Sequence, residues 1–96
     1  MCLTVHNQLT LLHDLLDEQL MYKTVELEEY RQIKKLVQCM SCNKQTAQAL
    51  ENILPEIYSY SLKGERVQSY IDHIMTNEQA IKKWLQTIKK ARKTIS

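Results

Sequence analysis

One glycine and one proline in 96 residues constrain this chain more than any other feature. Average usage would supply about 7% Gly and about 5% Pro. Sheets joined by tight turns need glycine at positive-φ positions and close approaches. A phosphate-cradling loop needs several glycines at fixed spacing, and Gly64 stands alone. What remains is an all-α fold. Hydrophobic residues make up 44% and charged residues 25%, an ordinary globular balance that argues against disorder. The length allows one domain over 1–96, with 1–5 and 94–96 expected to fray.

Apolar periodicity predicts five helices. Helix one, 6–21, carries Leu9, Leu12, Leu16 and Leu20 along one stripe, which Leu11 and Leu15 widen. At about 100° per residue that apolar arc covers about 200°, roughly twice what a surface helix needs. Helix one is therefore either central in the bundle or buried against a second copy through Leu11 and Leu15. Helix two, 25–41, has Thr24 as its expected N-cap and Glu26, Glu28 and Glu29 in its first turn, where the helix dipole favours acids. Asn43 is placed to cap helix three, 44–62, whose inner face holds Ala47, Leu50, Ile53, Leu54, Ile57 and Ser61. Pro55 falls inside it on the polar side, where a kink is tolerable and is the preferred reading. The competing reading is a break, with Pro55 opening a new helix. Gly64 would then end helix three as a left-handed C′ residue. Helix four, 65–75, puts Val67, Tyr70, Ile71 and Ile74 on one face. The sequence Thr76-Asn77-Glu78-Gln79 matches a capping box that would start helix five, 77–94, with Ile81, Trp84, Leu85, Ile88 and Ile95 inward. Short connections make this a compact antiparallel bundle of four to five helices.

Charge is segregated along the chain. Residues 1–30 hold six acids against Lys23, net −5, whereas residues 81–96 hold six bases and no acid, net +6. Lys82, Lys89 and Lys93 align on the helix-five wheel, with Lys83 and Lys90 beside them. Three readings stand. The cations complement the helix C-terminus and keep the chain soluble, they pair with the acidic start within the fold or across a dimer, or they bind phosphates. The first carries most weight. No interleaved aromatics support nucleic-acid recognition.

The other candidates for chemistry are sparse. Cys39 and Cys42 form a lone C-x-x-C near a helix C-terminus, half of a zinc site at most and the wrong end of a helix for a reactive thiolate. Cys2, His6 or His73 could complete a ligand set, but no spacing points to them. His6 and His13 lie two turns apart, too far to chelate one metal. No cofactor, metal or catalytic residue is expected. Tyr58 and Tyr60 read as helix-surface tyrosines with wet hydroxyls. Three cysteines, no basic leader and no apolar run of membrane-spanning length make the cytoplasm the expected compartment.

Four segments resemble a known family: Gln8 to Leu16 (QLTLLHDLL), Glu29 to Val37 (EYRQIKKLV), Ile57 to Ser61 (IYSYS) and the late Trp84. The chain is similar over residues 6–88 to the YtzH-like family, small proteins of bacilli and their relatives. The basic stretch 89–96 and the Cys39/Cys42 pair depart from that pattern. The resemblance implies a cytoplasmic bacterial protein with no assigned activity, and it supplies no catalytic residue.

The expected function is a non-catalytic protein–protein interaction or regulatory module. Its partner would be a second copy or another protein, with no membrane role. The alternative is nucleic-acid binding through Lys82, Lys83, Lys89, Lys90 and Lys93.

Overall fold

A computed structural model describes residues 4–23 and 26–95, the side chains of the last two of these excepted. Six helices follow one another: α1 Val5–Tyr22, α2 Leu27–Ser41, α3 Lys44–Ala49, α4 Leu54–Gly64, α5 Tyr70–Thr76 and α6 Glu78–Ile95. No strand occurs among the described residues.

Local chemistry explains most of the boundaries. The Thr4 hydroxyl accepts from the Asn7 amide and caps α1. Lys23, at φ 58°, closes α1 in the left-handed region, and its ammonium donates to the Leu20 carbonyl at 2.7 Å. Glu26 is the N-cap of α2 without a side-chain bond, with Glu28 and Glu29 in the first turn as expected. The expected Thr24 cap lies outside the described residues. Asn43 caps α3 as predicted, its Oδ1 accepting from the Thr46 amide at 3.2 Å.

The predicted third helix is two helices. Leu50 to Ile53 forms a turn, and Pro55 sits in the first turn of α4, so the chain breaks there rather than kinks. The reason is economical: proline has no N–H, and the first turn of a helix has no use for one. This raises the helix count among the described residues to six. Gly64 also departs from expectation. It is the last residue of α4 and has no positive φ. Helix four starts later than expected, at Tyr70, with Ser69 accepting from the Asp72 amide. Thr76 belongs to the last turn of α5, and Asn77 turns back to bond the His73 carbonyl at 2.8 Å, so no capping box leads into α6.

Two antiparallel pairs build the bundle. In the first, Lys23 at the end of α1 reaches Glu78 at the start of α6, while His6 at the opposite end shares a depression with Lys89. In the second, Lys34 of α2 bonds Glu65 just past α4, while Gln38 meets Tyr58 further up α4. α1 packs on α6, α2 and α5, and α2 on α4, α1 and α3, so these two helices share the centre of the bundle. Leu9, Leu12 and Leu16 are fully buried and Leu15 nearly so. Most of the wide apolar arc is thus consumed inside the chain, and Leu11 at its edge stays exposed. Ile33, Val37, Leu50, Ile53, Ile57, Ile74, Ile81, Leu85 and Ile88 complete one continuous cluster with the aromatics. A Cα radius of gyration of 12.5 Å is what a compact chain of this length adopts.

Gly64 is required by a close approach. A Cβ there would fall 2.6 Å from Cδ1 and Cζ of the buried Tyr30 ring. In an unhindered helix, Gly→Ala stabilises by up to about 1 kcal/mol. Here overpacking reverses the sign. Gly64→Ala is expected to lower stability by about 1–3 kcal/mol in urea denaturation, and a stabilised variant would refute the contact.

Candidate functional site

The most concentrated polar chemistry in the molecule lies inside it. Tyr30 of α2 is fully buried and packs against Tyr60 of α4 and Tyr70 of α5, both at 5.6 Å between ring centres. Tyr60 stacks on the buried His73 of α5 at 4.6 Å and meets Trp84 of α6 edge-on at 5.5 Å. Such pairs add about 0.5–1.5 kcal/mol each beyond their burial. The Tyr60 hydroxyl donates to Oε1 of the fully buried Gln19 in α1, at 2.7 Å. One node therefore joins α1, α2, α4, α5 and α6.

Its protonation states follow from its partners. The Tyr60 carbonyl faces His73 Nε2 at 3.0 Å, and the Asn77 amide group faces Nδ1 at 3.4 Å. A carbonyl can only accept, so Nε2 carries the ring proton and Nδ1 accepts. Burial pushes the Tyr60 phenol far above its ordinary range, with the neighbouring Tyr30 hydroxyl adding to the effect. It pushes Tyr30 up as well. Both stay neutral phenols at any physiological pH. The Tyr30 hydroxyl and the Gln19 Nε2 are buried without a hydrogen-bond partner of good geometry. Nothing in this set resembles a nucleophile with a base beside it.

Beside the node is an acidic corner. Burial raises the Glu29 carboxyl above its ordinary 4.5, and the charges of Glu18 and Glu26 raise it further. Those three acids therefore crowd the junction of α1 and α2.

The surface divides between the two ends of the α1–α6 pair. Of the large apolar side chains exposed among the described residues, Met21, Tyr22, Ile71 and Met75 lie at the acidic end, and Leu11 lies midway along α1. Met21 and Tyr22 end α1, while Ile71 and Met75 stand one turn apart on the outside of α5. The Gln19–Tyr60–His73 chain and the Lys23–Glu78 pair hold α1 and α5 together there. The opposite end is basic. His6, Lys89, Arg92 and Lys93 line a depression of about 360 Å³.

These positions sort the expected site residues. Leu15 belongs to the chain's own core, whereas Leu11 is 38% exposed. Lys82, Lys83, Lys89, Lys90 and Lys93 are all exposed. Lys82 pairs with Glu78 one turn earlier at 3.4 Å. α1 and α6 lie side by side, yet no ion pair with a described residue joins Lys83, Lys89 or Lys93 to Asp14, Asp17 or Glu18. For these three lysines, pairing with the acidic residues of α1 is absent among the described residues. Cys39 is disulfide-bonded and Cys42 is free and exposed, so the C-x-x-C does not close on itself. No three potential metal ligands converge among the described residues. Tyr58 is half-buried as expected, but Tyr60 is core and not surface. Ile71, expected inward, faces out, because α5 starts five residues later than predicted and turns Tyr70, His73 and Ile74 to the core. His73 carried no signal that it would be buried. Its stacking partner is thirteen residues away on another helix.

The residues that carry the family resemblance are mostly members of this core: Leu9, Leu12, Tyr30, Ile33, Ile57, Tyr60, Ser61 and Trp84 are all buried. A family model described as YtzH-like protein matches residues 3–88. The chain belongs to the YtzH-like family. A curated relative printed as Uncharacterized protein YtzH, from Bacillus subtilis (strain 168), is 24% identical over 86 residues. That alignment covers 90% of this chain and 94% of the relative. No solved structure matches it. The YtzH-like match stops at residue 88, so the basic turn at Lys89, Arg92 and Lys93 lies beyond it.

Two outcomes test the node. Tyr60→Phe leaves Gln19 Oε1 buried without its donor and is expected to cost about 1–3 kcal/mol. Adding Gln19→Met removes the orphaned group and should recover much of that loss in the same denaturation assay. For Glu29, a raised native pKa means the folded state holds the proton more tightly, so stability falls as pH climbs through the window just above 4.5. Glu29→Gln should therefore gain ~0.5 kcal/mol at pH 7. Below the ordinary carboxylate pKa the gain should vanish, as thermal melts at the two pH values would show.

Proposed function

We propose that this protein is a non-catalytic interaction module that seats a cationic amphipathic segment of a partner protein on the acidic end of its bundle. The observation that carries the reading is the exposure of Met21 and Tyr22 at the end of α1 and of Ile71 and Met75 on α5, which α1 contacts, with Glu18, Glu26 and Glu29 at the α1–α2 junction. Exposed apolar side chains gathered in one place mark contact surfaces more often than chance positions do. Methionine is unbranched and polarisable, and it adapts to varied partner shapes. The crowded acids repel one another, so basic residues at the rim of a partner relieve that repulsion as they dock. A second copy meeting this end face to face would set acid against acid. Charge thus favours a different protein. The reading is non-catalytic because the concentrated polar groups of the node are engaged in holding helices, with their phenols kept neutral.

A second reading has one observation behind it: Lys83, Lys89 and Lys93 have no ion pair with a described residue, and no acid follows Glu78. That basic side of α6 is available to an anionic partner.

The test uses a labelled amphipathic Leu/Lys peptide and fluorescence anisotropy. Saturable binding is expected, and Ile71→Ser with Met75→Ser should weaken it about tenfold or more, with the far-UV spectrum unchanged because both side chains are exposed. Equal binding by that variant, or by a Leu/Glu peptide, would refute the surface. Light scattering is the companion measurement. A mass of 11.4 kDa is expected, and twice that mass, lost in the variant, would hand the surface to a second copy instead.

A further inference from the structure

The cysteines at the end of α2 are a motif that the interaction reading leaves unused. Their sulfurs are in different states: Cys39 is disulfide-bonded, and Cys42 is a free, exposed thiol. Within this chain the count of three cysteines leaves Cys2, outside the described residues, as the sulfur that Cys39 can hold. The last turn of α2 sets the geometry. The Cys42 amide donates to the Cys39 carbonyl at 3.2 Å, and the Asn43 amide to the Met40 carbonyl at 3.1 Å, each three residues back. Bonds of that spacing tighten a turn toward 3₁₀ form, in which side chains three residues apart eclipse. Cys42 therefore stands over Cys39. One such turn sets the two Cα atoms about 5 Å apart, within the ~4.4–6.8 Å that a disulfide spans. The turn is also pinned in place. Met40 between the cysteines is fully buried, the Ser41 hydroxyl donates to the Val37 carbonyl at 2.8 Å, and the next residue, Asn43, caps α3.

We propose that this C-x-x-C is a thiol–disulfide exchange switch, in which Cys42 displaces the sulfur bonded to Cys39. The Cys42 thiolate attacks Cys39 Sγ, a Cys39–Cys42 bond forms, the old bond to Cys39 breaks, and the displaced sulfur leaves as a thiolate. The proton given up by Cys42 passes through solvent to the leaving sulfur. One disulfide and one thiol exist before and after, so no oxidant or reductant is consumed. A helix C-terminus does not favour a thiolate, so the exchange rests on proximity and not on an activated sulfur. Proximity is what the tightened turn supplies. In one state the bond at Cys39 ties α2 to another part of the chain. In the other it closes on the last turn of α2 and frees that part. The switch sits at the far end of α2 from Glu26 and Glu29, so it and the acidic docking surface can each fail without the other.

The experiment is non-reducing peptide mapping of the full chain. Protein purified without reductant is held at mildly alkaline pH, sampled over hours, quenched with N-ethylmaleimide and digested with trypsin. Cys39 and Cys42 fall in one fragment, Leu36 to Lys44, so closing their bond leaves that fragment free of cross-link and label and lighter by two hydrogens. At the start the label is expected on Cys42. With time it should move to Cys2 while the closed fragment accumulates, at a rate independent of protein concentration. Cys42→Ser removes the attacking sulfur and should slow loss of the original bond about tenfold or more. Cys42 is exposed, so that variant should fold like the parent. Label that stays on Cys42 throughout would overturn the proposal, as would a rate that rises with protein concentration or an equal loss of the bond in Cys42→Ser. Labelling of all three cysteines at the first time point would overturn it too, by removing the disulfide on which the exchange acts.

Discussion

The contact of the Tyr30 ring with Gly64 is the constraint on which the rest of this structure depends. Gly64 lacks the Cβ that would collide with that ring, so α2 and α4 approach closely enough to seat a tyrosine between them. With Tyr30 seated, Tyr60 and Tyr70 close on it, His73 stacks on Tyr60, and Trp84 meets Tyr60 from α6. The Tyr60 hydroxyl then reaches Gln19 on α1. Five helices thus share one buried set of groups. A chain with no Phe has few other large side chains to fill a core, and the tyrosines bring hydroxyls that must be accommodated. The Gln19 side chain meets that need for Tyr60, at the expense of its own unpartnered amide nitrogen. The satisfied Tyr60–Gln19 bond favours one arrangement of the helices, because breaking it would leave a buried polar group without its partner.

From the same packing follows the division of the surface. Antiparallel α1 and α6 carry their charges to opposite ends, since the acids lie in the first thirty residues and the bases in the last sixteen. The acidic end also exposes Met21, Tyr22, Ile71 and Met75, while the basic end closes into a depression against His6. The small net charge of +2 conceals two unlike surfaces about one bundle apart. Each has a chemistry of its own, and the node between them fixes their separation.

Much of the helix map was legible because its signals are local. The Asn43 cap, the acidic first turn of α2 and the inward stripe Ile81, Trp84, Leu85 and Ile88 all rest on spacing within a single helix. Pro55 was misplaced because a wheel position says where a side chain points and not whether the amide is needed. Starting α4 at Leu54 would have aligned Ile57, Ser61 and Gly64 on one face, two of them small, which is the signature of a close neighbour. Tyr60 and Tyr58 differ by two residues and so point to opposite sides of α4, a distinction that treating them alike had lost. The Tyr60–Gln19 bond spans forty-one residues, and no local pattern announces it. The basic residues of the depression were visible in the sequence, but His6 joins them only once α1 and α6 are known to be antiparallel.

The central claim is that the Tyr30 node makes α1, α2, α4, α5 and α6 one cooperative unit. Native-state hydrogen exchange tests it most directly, because it reads the opening free energy of each helix separately. The slowest amides of those five helices should report one common opening free energy, equal to that of global unfolding, with the short α3 free to open earlier. Opening of α5 or α4 at a distinctly lower free energy, with α1 and α6 still protected, would contradict the account.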